Sequence, residues 1–216
     1  MYLCTPIDNW LHTTIVNGNI DQKQKTLENM KRLMILLSLF VAFASCADAQ
    51  RGGEKPTREQ MEKADRNGYI VRDGDKAPDF TIELTDGRRV RLSELKGKVV
   101  LLQFTASWCS VCRKEMPQLE AQIWQKHKTD SDFVFIGVDR DEPLEKVKAF
   151  ARQTGVTYPL GLDPGADIFG KFALKQSGVT RNVLIGRDGK IVMRTRLYDE
   201  AEFARLVGKV DELLGK

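Results

Sequence analysis

Thiols and imidazoles are scarce in this chain, with four cysteines and two histidines in 216 residues. Cys4, Cys46 and His12 all precede residue 50, so the remainder holds only Cys109, Cys112 and His127. A structural zinc site takes about four ligands, which that set does not supply. A disulfide scaffold needs several pairs, and only one pair is left. There is no internal repeat, no low-complexity run, no G-x-G-x-x-G and no P-loop, so the usual sequence marks of nucleotide binding are missing. Nor does charge of one sign accumulate. The net charge is +4, and excluding residues 1–49 leaves it unchanged, because Lys23, Lys25, Lys31 and Arg32 leave together with Asp8, Asp21, Glu28 and Asp48. Bases and acids interleave along the rest, which predicts a solvated surface and no nucleic-acid stripe.

Long hydrophobic runs are also wanting. Leu33 to Ala44, behind Met30-Lys31-Arg32, is shorter than the about 20 residues of a membrane span and has the charged start and short apolar core of a secretory signal. Residues 30–49 are therefore expected to be a signal peptide, and residues 1–29 a non-native extension upstream of the true start at Met30. Two exits from the signal compete. Ala47-Asp48-Ala49 before Gln50 is an A-x-A cleavage site, whereas Phe43-Ala44-Ser45-Cys46 resembles a lipobox in which Cys46 would carry lipid. Cleavage after Ala49 is favoured, because Phe43 is an atypical lipobox opener.

Residues 50–68 read as a linker with a short polar helix, capped by Thr57-x-x-Gln60 and running to about Arg66. From residue 69 to 216 the pattern is that of one α/β domain. Phe80, Ile82 and Leu84 alternate with polar residues, Asp86-Gly87 marks a turn, and Val90 and Leu92 alternate on the return, giving a hairpin. One helical turn at Ser93-Glu94-Leu95 precedes an apolar strand, Val99 to Phe104. Met116, Leu119, Ile123 and Trp124 then recur at helical spacing, with Pro117 inside the helix and a kink expected there. Phe133 to Val138 is a second buried strand; Asp141 is expected to cap a helix with Pro143 in its first turn, ending at Gly155. Tyr158 to Leu162 is a short strand, and Ile168, Phe169, Phe172 and Ala173 form a helical stripe. Val183 to Ile185 turns at Asp188-Gly189 into Ile191 to Leu197, and a last helix opens with Asp199-x-x-Glu202. The sum is a central mixed sheet flanked by helices, opened by an N-terminal β-hairpin extension.

The chemistry is concentrated in Trp108-Cys109-Ser110-Val111-Cys112. An apolar strand, a C-x-x-C and then a helical pattern place a dithiol at a helix N-terminus. Unpaired N–H groups and the positive end of the helix dipole favour a thiolate at Cys109, the expected nucleophile. Cys112, one turn in, is the expected resolving thiol. Attachment of c-type haem wants His directly after the second Cys, where Arg113 stands. A purely structural disulfide across so short a loop removes little chain entropy, so redox chemistry is the better reading.

These residues resemble the thioredoxin superfamily, and more narrowly the exported TlpA/ResA-like thiol–disulfide oxidoreductases of the bacterial cell envelope. The resemblance covers about residues 69 to 216 and rests on Ala77-Pro78-Asp79-Phe80, the Val99-to-Pro117 block, Tyr158-Pro159 and Gly178 to Ile185, in family order. It implies a thioredoxin-like fold and a reductase of envelope-protein disulfides, apocytochromes c among them, recharged by a membrane thiol donor and using no metal or organic cofactor. By position it implies that Cys109 attacks and Cys112 resolves, that Trp108 flanks the site, and that Glu115 modulates the thiols. A solvated Glu115 paired with a neighbouring lysine is the alternative. Gln103 stands where thioredoxin holds a buried Asp, and an amide cannot shuttle a proton.

The family's cis-proline falls at Thr180, within Gly178-Val179-Thr180-Arg181-Asn182. A cis bond before a non-proline residue costs about 2.5–4 kcal/mol, so a trans and differently shaped loop is expected. Arg181 is expected either as a surface side chain or as a cation for a thiolate or bound anion at the site. Three other functions stay open. Peroxiredoxins share the fold, but their motif wants Pro and Thr where Leu102 and Ala106 stand. The dithiol could run as an oxidant, and the scaffold could serve as a non-catalytic binding module.

Overall fold

The computed structural model describes residues 55–216. The expected signal peptide, residues 1–29, Cys46 and the start of the linker at 50–54 lie outside the described residues. Among the described residues no helix is long and apolar enough to cross a membrane.

The polar helix α1, Arg58–Lys63, carries the expected reciprocal cap between Thr57 and Gln60, and buries none of its residues. It stops at Lys63, short of Arg66, because Ala64 is extended. The hairpin follows as β1, Thr81–Leu84, and β2, Arg89–Arg91, turned by Gly87 at φ 87°. A 3-10 turn at Leu92–Leu95 leads into β3, Val99–Thr105, every residue of which is buried. Helix α2, Ser110–Leu119, contains Pro117. The disturbance falls one turn later than expected, as a π-helical segment, Glu120–Trp124, before the helix resumes at Gln125–His127. The wide turn takes up the mismatch of a ladder lacking one donor.

Strand β4, Phe133–Arg140, is followed by α3, Leu144–Thr154, closed by Gly155 at φ 70°. Asp141 does not cap this helix, contrary to expectation. Pro143 holds the N-cap position without a side-chain bond, while Asp141 sits at φ 60° and its carboxylate accepts the N–H of Gly165 at 2.9 Å. Strand β5 runs Leu160–Asp163, two residues later than its apolar signal. Tyr158 is instead a core aromatic, stacked on Phe135 with ring centroids 4.1 Å apart. The short α4, Phe169–Phe172, precedes β6, Arg181–Ile185, and β7, Ile191–Arg196. The last helix, α5, Glu200–Leu214, is capped by Asp199.

The seven strands form one sheet in the order β2-β1-β5-β4-β3-β6-β7. β4 lies parallel to β3 and to β5, and the outer pairings are antiparallel. A strand buried on both faces reads as a nearly continuous apolar run, and β3, beside the middle strand β4, is such a strand, interrupted only by Gln103 before it ends at Thr105. Helix α2 contributes Met116 and Leu119, and α5 contributes Phe203, Leu206 and Val210, to the same buried core. The segment before β1 is tied down by Tyr69, which is buried and bridges Ala173.

Candidate active site

Strand β3 ends at the loop Ala106-Ser107-Trp108, and Cys109 is the N-cap of α2, its sulfur accepting the backbone N–H of Cys112 at 3.1 Å. The two cysteines are joined as a disulfide with Cα atoms 5.3 Å apart. Cys109 retains 8% exposure and Cys112 none, so an incoming sulfur meets Cys109 first. Trp108, 61% exposed, stands beside it.

The loop is held from below. Glu142 accepts the backbone N–H of Ser107 at 2.5 Å and its hydroxyl at 2.7 Å, and pairs with Lys146 at 2.5 Å. Partial burial works against ionisation of Glu142, but the bonds from Lys146 and Ser107 prevail and hold its carboxyl below the usual range. Beside it, Asp139 is fully buried with neither oxygen partnered. Desolvation and the adjacent Glu142 charge push Asp139 up to about 8.

Thr180 lies across the dithiol, its hydroxyl 3.0 Å from the Cys109 sulfur and 3.3 Å from that of Cys112. No peptide bond among the described residues is cis, so the loop reaches the disulfide with a trans bond before Thr180. Its carbonyl accepts the N–H of Leu197 at 3.2 Å. Leu197 is 48% exposed, at φ 66°. Trp108, next to Cys109 in the chain, and Leu197, bonded through its N–H to the Thr180 carbonyl, are two exposed apolar residues adjoining the site.

Glu115 follows Cys112 by one helical turn and is buried, not solvated. Its carboxylate accepts from Asn182 Nδ2 at 2.7 Å and from Gln103 Nε2 at 3.4 Å. Asn182 Nδ2 also donates to the Thr195 hydroxyl at 2.9 Å, and Gln103 Oε1 accepts the Tyr158 hydroxyl at 2.7 Å. Desolvation pushes Glu115 up to about 7, against the pull of the two amide bonds. A carboxyl poised there can take or give a proton at neutral pH.

Arg181 is a correction on both expectations. It is fully buried, neither at the surface nor on the sulfurs. Its Nε donates to the Gly178 carbonyl at 3.0 Å and its Nη2 to the Asn67 carbonyl at 2.5 Å and the Ser177 hydroxyl at 2.9 Å. The guanidinium stacks 4.3 Å over the Tyr69 ring. A cation so enclosed does not touch a docked substrate, and the feature that suggested a peroxide-type site is removed with it. His127 is likewise structural, buried and bonded to Asp211 at 2.8 Å. Among the described residues no group of three His, Cys, Asp or Glu side chains is placed to hold a metal ion.

Asn182, Tyr158, Asp139, Glu142 and Leu197 join the site only in the folded chain. The available signal was a polar residue in an apolar strand: Asn182 directly before Val183-Leu184-Ile185, and Asp139 directly after Phe133 to Val138. Leu197 carries no such mark, because its significance is its backbone angle.

Comparison with known proteins agrees with this geometry. Residues 72–212 match the Redoxin family model. The thiol-disulfide oxidoreductase ResA of Bacillus anthracis is 35% identical over 119 residues, covering 55% of this chain and 66% of that protein, just under two thirds of its length. A solution structure from Bacteroides thetaiotaomicron, provisionally described as a protein disulfide isomerase, is 70% identical, covers 69% of this chain and 94% of its own, and superposes with a TM-score of 0.67. A Chlorobium tepidum structure described as a thiol:disulfide interchange protein DsbE is 30% identical, covers 67% of this chain and 99% of its own, with a TM-score of 0.57. With a helix-capping C-x-x-C on a mixed sheet and a family match over most of its length, the chain belongs to the redoxin family of the thioredoxin-like fold, among relatives of the ResA-type thiol–disulfide oxidoreductases.

Proposed function

We propose that this protein is an exported thiol–disulfide oxidoreductase that reduces disulfides of envelope proteins, with apocytochromes c as one substrate class and a membrane dithiol as its electron source. The observation that carries the reading is the dithiol: one sulfur accessible at a helix N-terminus, its partner sealed behind it. In the reduced protein the Cys109 thiolate attacks one sulfur of the substrate disulfide. A Cys109–substrate bond forms, and the other substrate sulfur leaves as a thiolate that takes a proton from water. Cys112 then gives its proton to the Glu115 carboxylate and attacks Cys109. The Cys109–Cys112 disulfide forms and the second substrate thiolate departs. Two electrons have passed from the dithiol to the substrate, and a donor dithiol restores them by the reverse exchange.

Thr180, within hydrogen-bond reach of both sulfurs, serves as the docking wall for the substrate strand. Trp108 and Leu197 supply apolar contact beside it. Export rests on the Met30-to-Ala49 segment, with cleavage after Ala49 favoured over lipidation of Cys46.

Cys112→Ser tests the mechanism, since Cys109 can then attack but nothing can resolve it. A covalent complex with substrate, seen on non-reducing gels and dissolved by reductant, is expected. Its absence sinks the exchange mechanism. The direction of flow is read from the reduction potential of the Cys109/Cys112 couple in defined thiol buffers. A value near about −270 mV is expected of a reductase, and one near about −120 mV makes the protein an oxidant. A Cys109→Ser variant with undiminished biological activity makes it a binding module.

A further inference from the structure

The polar cluster beneath the dithiol holds one atom without an account. Asn182 is fully buried, its Nδ2 donates to both Glu115 and Thr195, and its Oδ1 has no partner. The two ends of a primary amide are nearly the same size, so a half-turn about χ2 exchanges them at small steric cost. One end meets Glu115 and Thr195 in either orientation, and the other faces the place where nothing bonds. The observed orientation leaves one carbonyl oxygen unpaired and the turned one leaves two N–H groups unpaired, so the amide turns only when Glu115 supplies a proton for Oδ1. What Glu115 presents decides. An ionised carboxylate only accepts, and calls for Nδ2. A protonated carboxyl gains one donor and keeps one acceptor; with Oε2 accepting from Gln103 Nε2, the proton sits on Oε1, which faces Asn182 and then calls for Oδ1. The Thr195 hydroxyl serves both, accepting from Nδ2 or, after rotation, donating to Oδ1.

We infer that Asn182, with Thr195, is a positioning residue whose amide turns over when Glu115 gains or loses a proton, so that both protonation states of the relay stay hydrogen-bonded. The inference rests on the assignment of Glu115 as the proton acceptor for Cys112. In the cycle above, Cys112 transfers its proton to Glu115, and the amide turns from Nδ2-inward to Oδ1-inward. When the carboxyl releases the proton, the amide turns back. No net proton is held by Asn182. The surroundings make the coupling local. Glu115 is in no ion pair among the described residues. Glu202 of α5, Tyr69 of the segment before β1 and Tyr158 before β5 are the titratable groups that act on it or are acted on by it, and Cys112, held in the disulfide, lies one turn before it on its own helix. Both tyrosines are held protonated by burial, well above their ordinary value.

The test is an NMR pH titration of the full-length oxidised protein, in which the disulfide leaves neither cysteine to titrate. It follows the Glu115 carboxyl carbon and the Asn182 side-chain amide together. The amide resonances are expected to shift with the midpoint of Glu115, and to lose that response in Glu115→Gln. In Asn182→Leu the Glu115 midpoint is expected to move by less than about half a pH unit, because a donor to the carboxylate and an acceptor for the carboxyl are lost together; a rise of about one unit, a tenfold change in acidity, marks an amide that bonds the carboxylate alone and overturns the turnover. Thr195→Val is expected to weaken the amide response and Thr195→Ser to keep it, which covers the case of Asn182→Leu failing to fold. An Asn182 amide that stays silent while Glu115 titrates overturns the inference and leaves the Glu115 relay intact. A Glu115 midpoint near its ordinary value, tracked by Asn182, overturns the relay at neutral pH and leaves the amide turnover standing.

Discussion

Single carboxyls buried near the dithiol set the strongest pH effects. Glu115 is held near 7, above its ordinary 4.5, by desolvation. Between those values the folded chain keeps a proton that the unfolded chain has lost. Its contribution to stability is therefore complete below about pH 4.5 and is lost as pH rises through about 7, a change of about 3 kcal/mol. Glu115→Gln keeps a neutral hydrogen-bonding side chain. It is expected to be more stable than the parent at pH 8 and to converge with it near pH 4, as read from urea unfolding of the oxidised proteins. Asp139 acts in the same sense up to about 8, with neither oxygen partnered. Asp139→Asn is expected to gain more than about 1 kcal/mol at pH 9 by removing a buried unpaired charge. At this scale the cysteines were plain in the sequence, since spacing alone carries their meaning. Glu115 could be placed but not valued, because its acidity depends on burial among Gln103, Asn182 and Tyr158, which are far apart in the chain.

Helix ends show which local signals survive folding. Asp199 caps α5 by accepting the Glu202 N–H at 2.8 Å. Asp199→Ala is expected to cost about 1 kcal/mol, measured as a lowered urea midpoint. Asp141 looked equivalent, yet its carboxylate is spent on Gly165 and α3 starts without it. Asp141→Ala is therefore expected to leave α3 intact and to disturb instead the turn at Pro164–Ala166, visible as amide shifts confined to that loop. The hairpin turn at Gly87 and the helix end at Gly155 are legible in the sequence because left-handed backbone is a demand that glycine meets directly. The π segment after Pro117 was not foreseen in its position. A missing donor states that the ladder must adjust, but neighbouring packing selects the turn that yields.

Over the whole molecule, the segment before the hairpin divides into a dispensable and an indispensable part. Helix α1 buries nothing, so a chain beginning at Asp65 is expected to unfold within a few tenths of a molar urea of one beginning at Gln50. A chain beginning at Arg72 also loses Tyr69, whose ring carries Arg181 at 4.3 Å and Arg194 at 4.8 Å and whose hydroxyl donates to the Thr195 carbonyl at 2.6 Å. That truncation is expected to cost about 3–5 kcal/mol, as for loss of a buried aromatic. Thermal and urea unfolding of the two chains checks both. Apolar periodicity, glycine turns and the C-x-x-C spacing are properties of near neighbours, so the α/β order, the strand supplying the site and the helix carrying it followed from the chain alone. Thr180 opposite the sulfurs followed from the family resemblance; Arg181 inside the fold and the amide network around Glu115 did not follow from the chain. Each depends on contacts between segments tens of residues apart, where desolvation and partner geometry determine whether a polar side chain is surface, scaffold or acid.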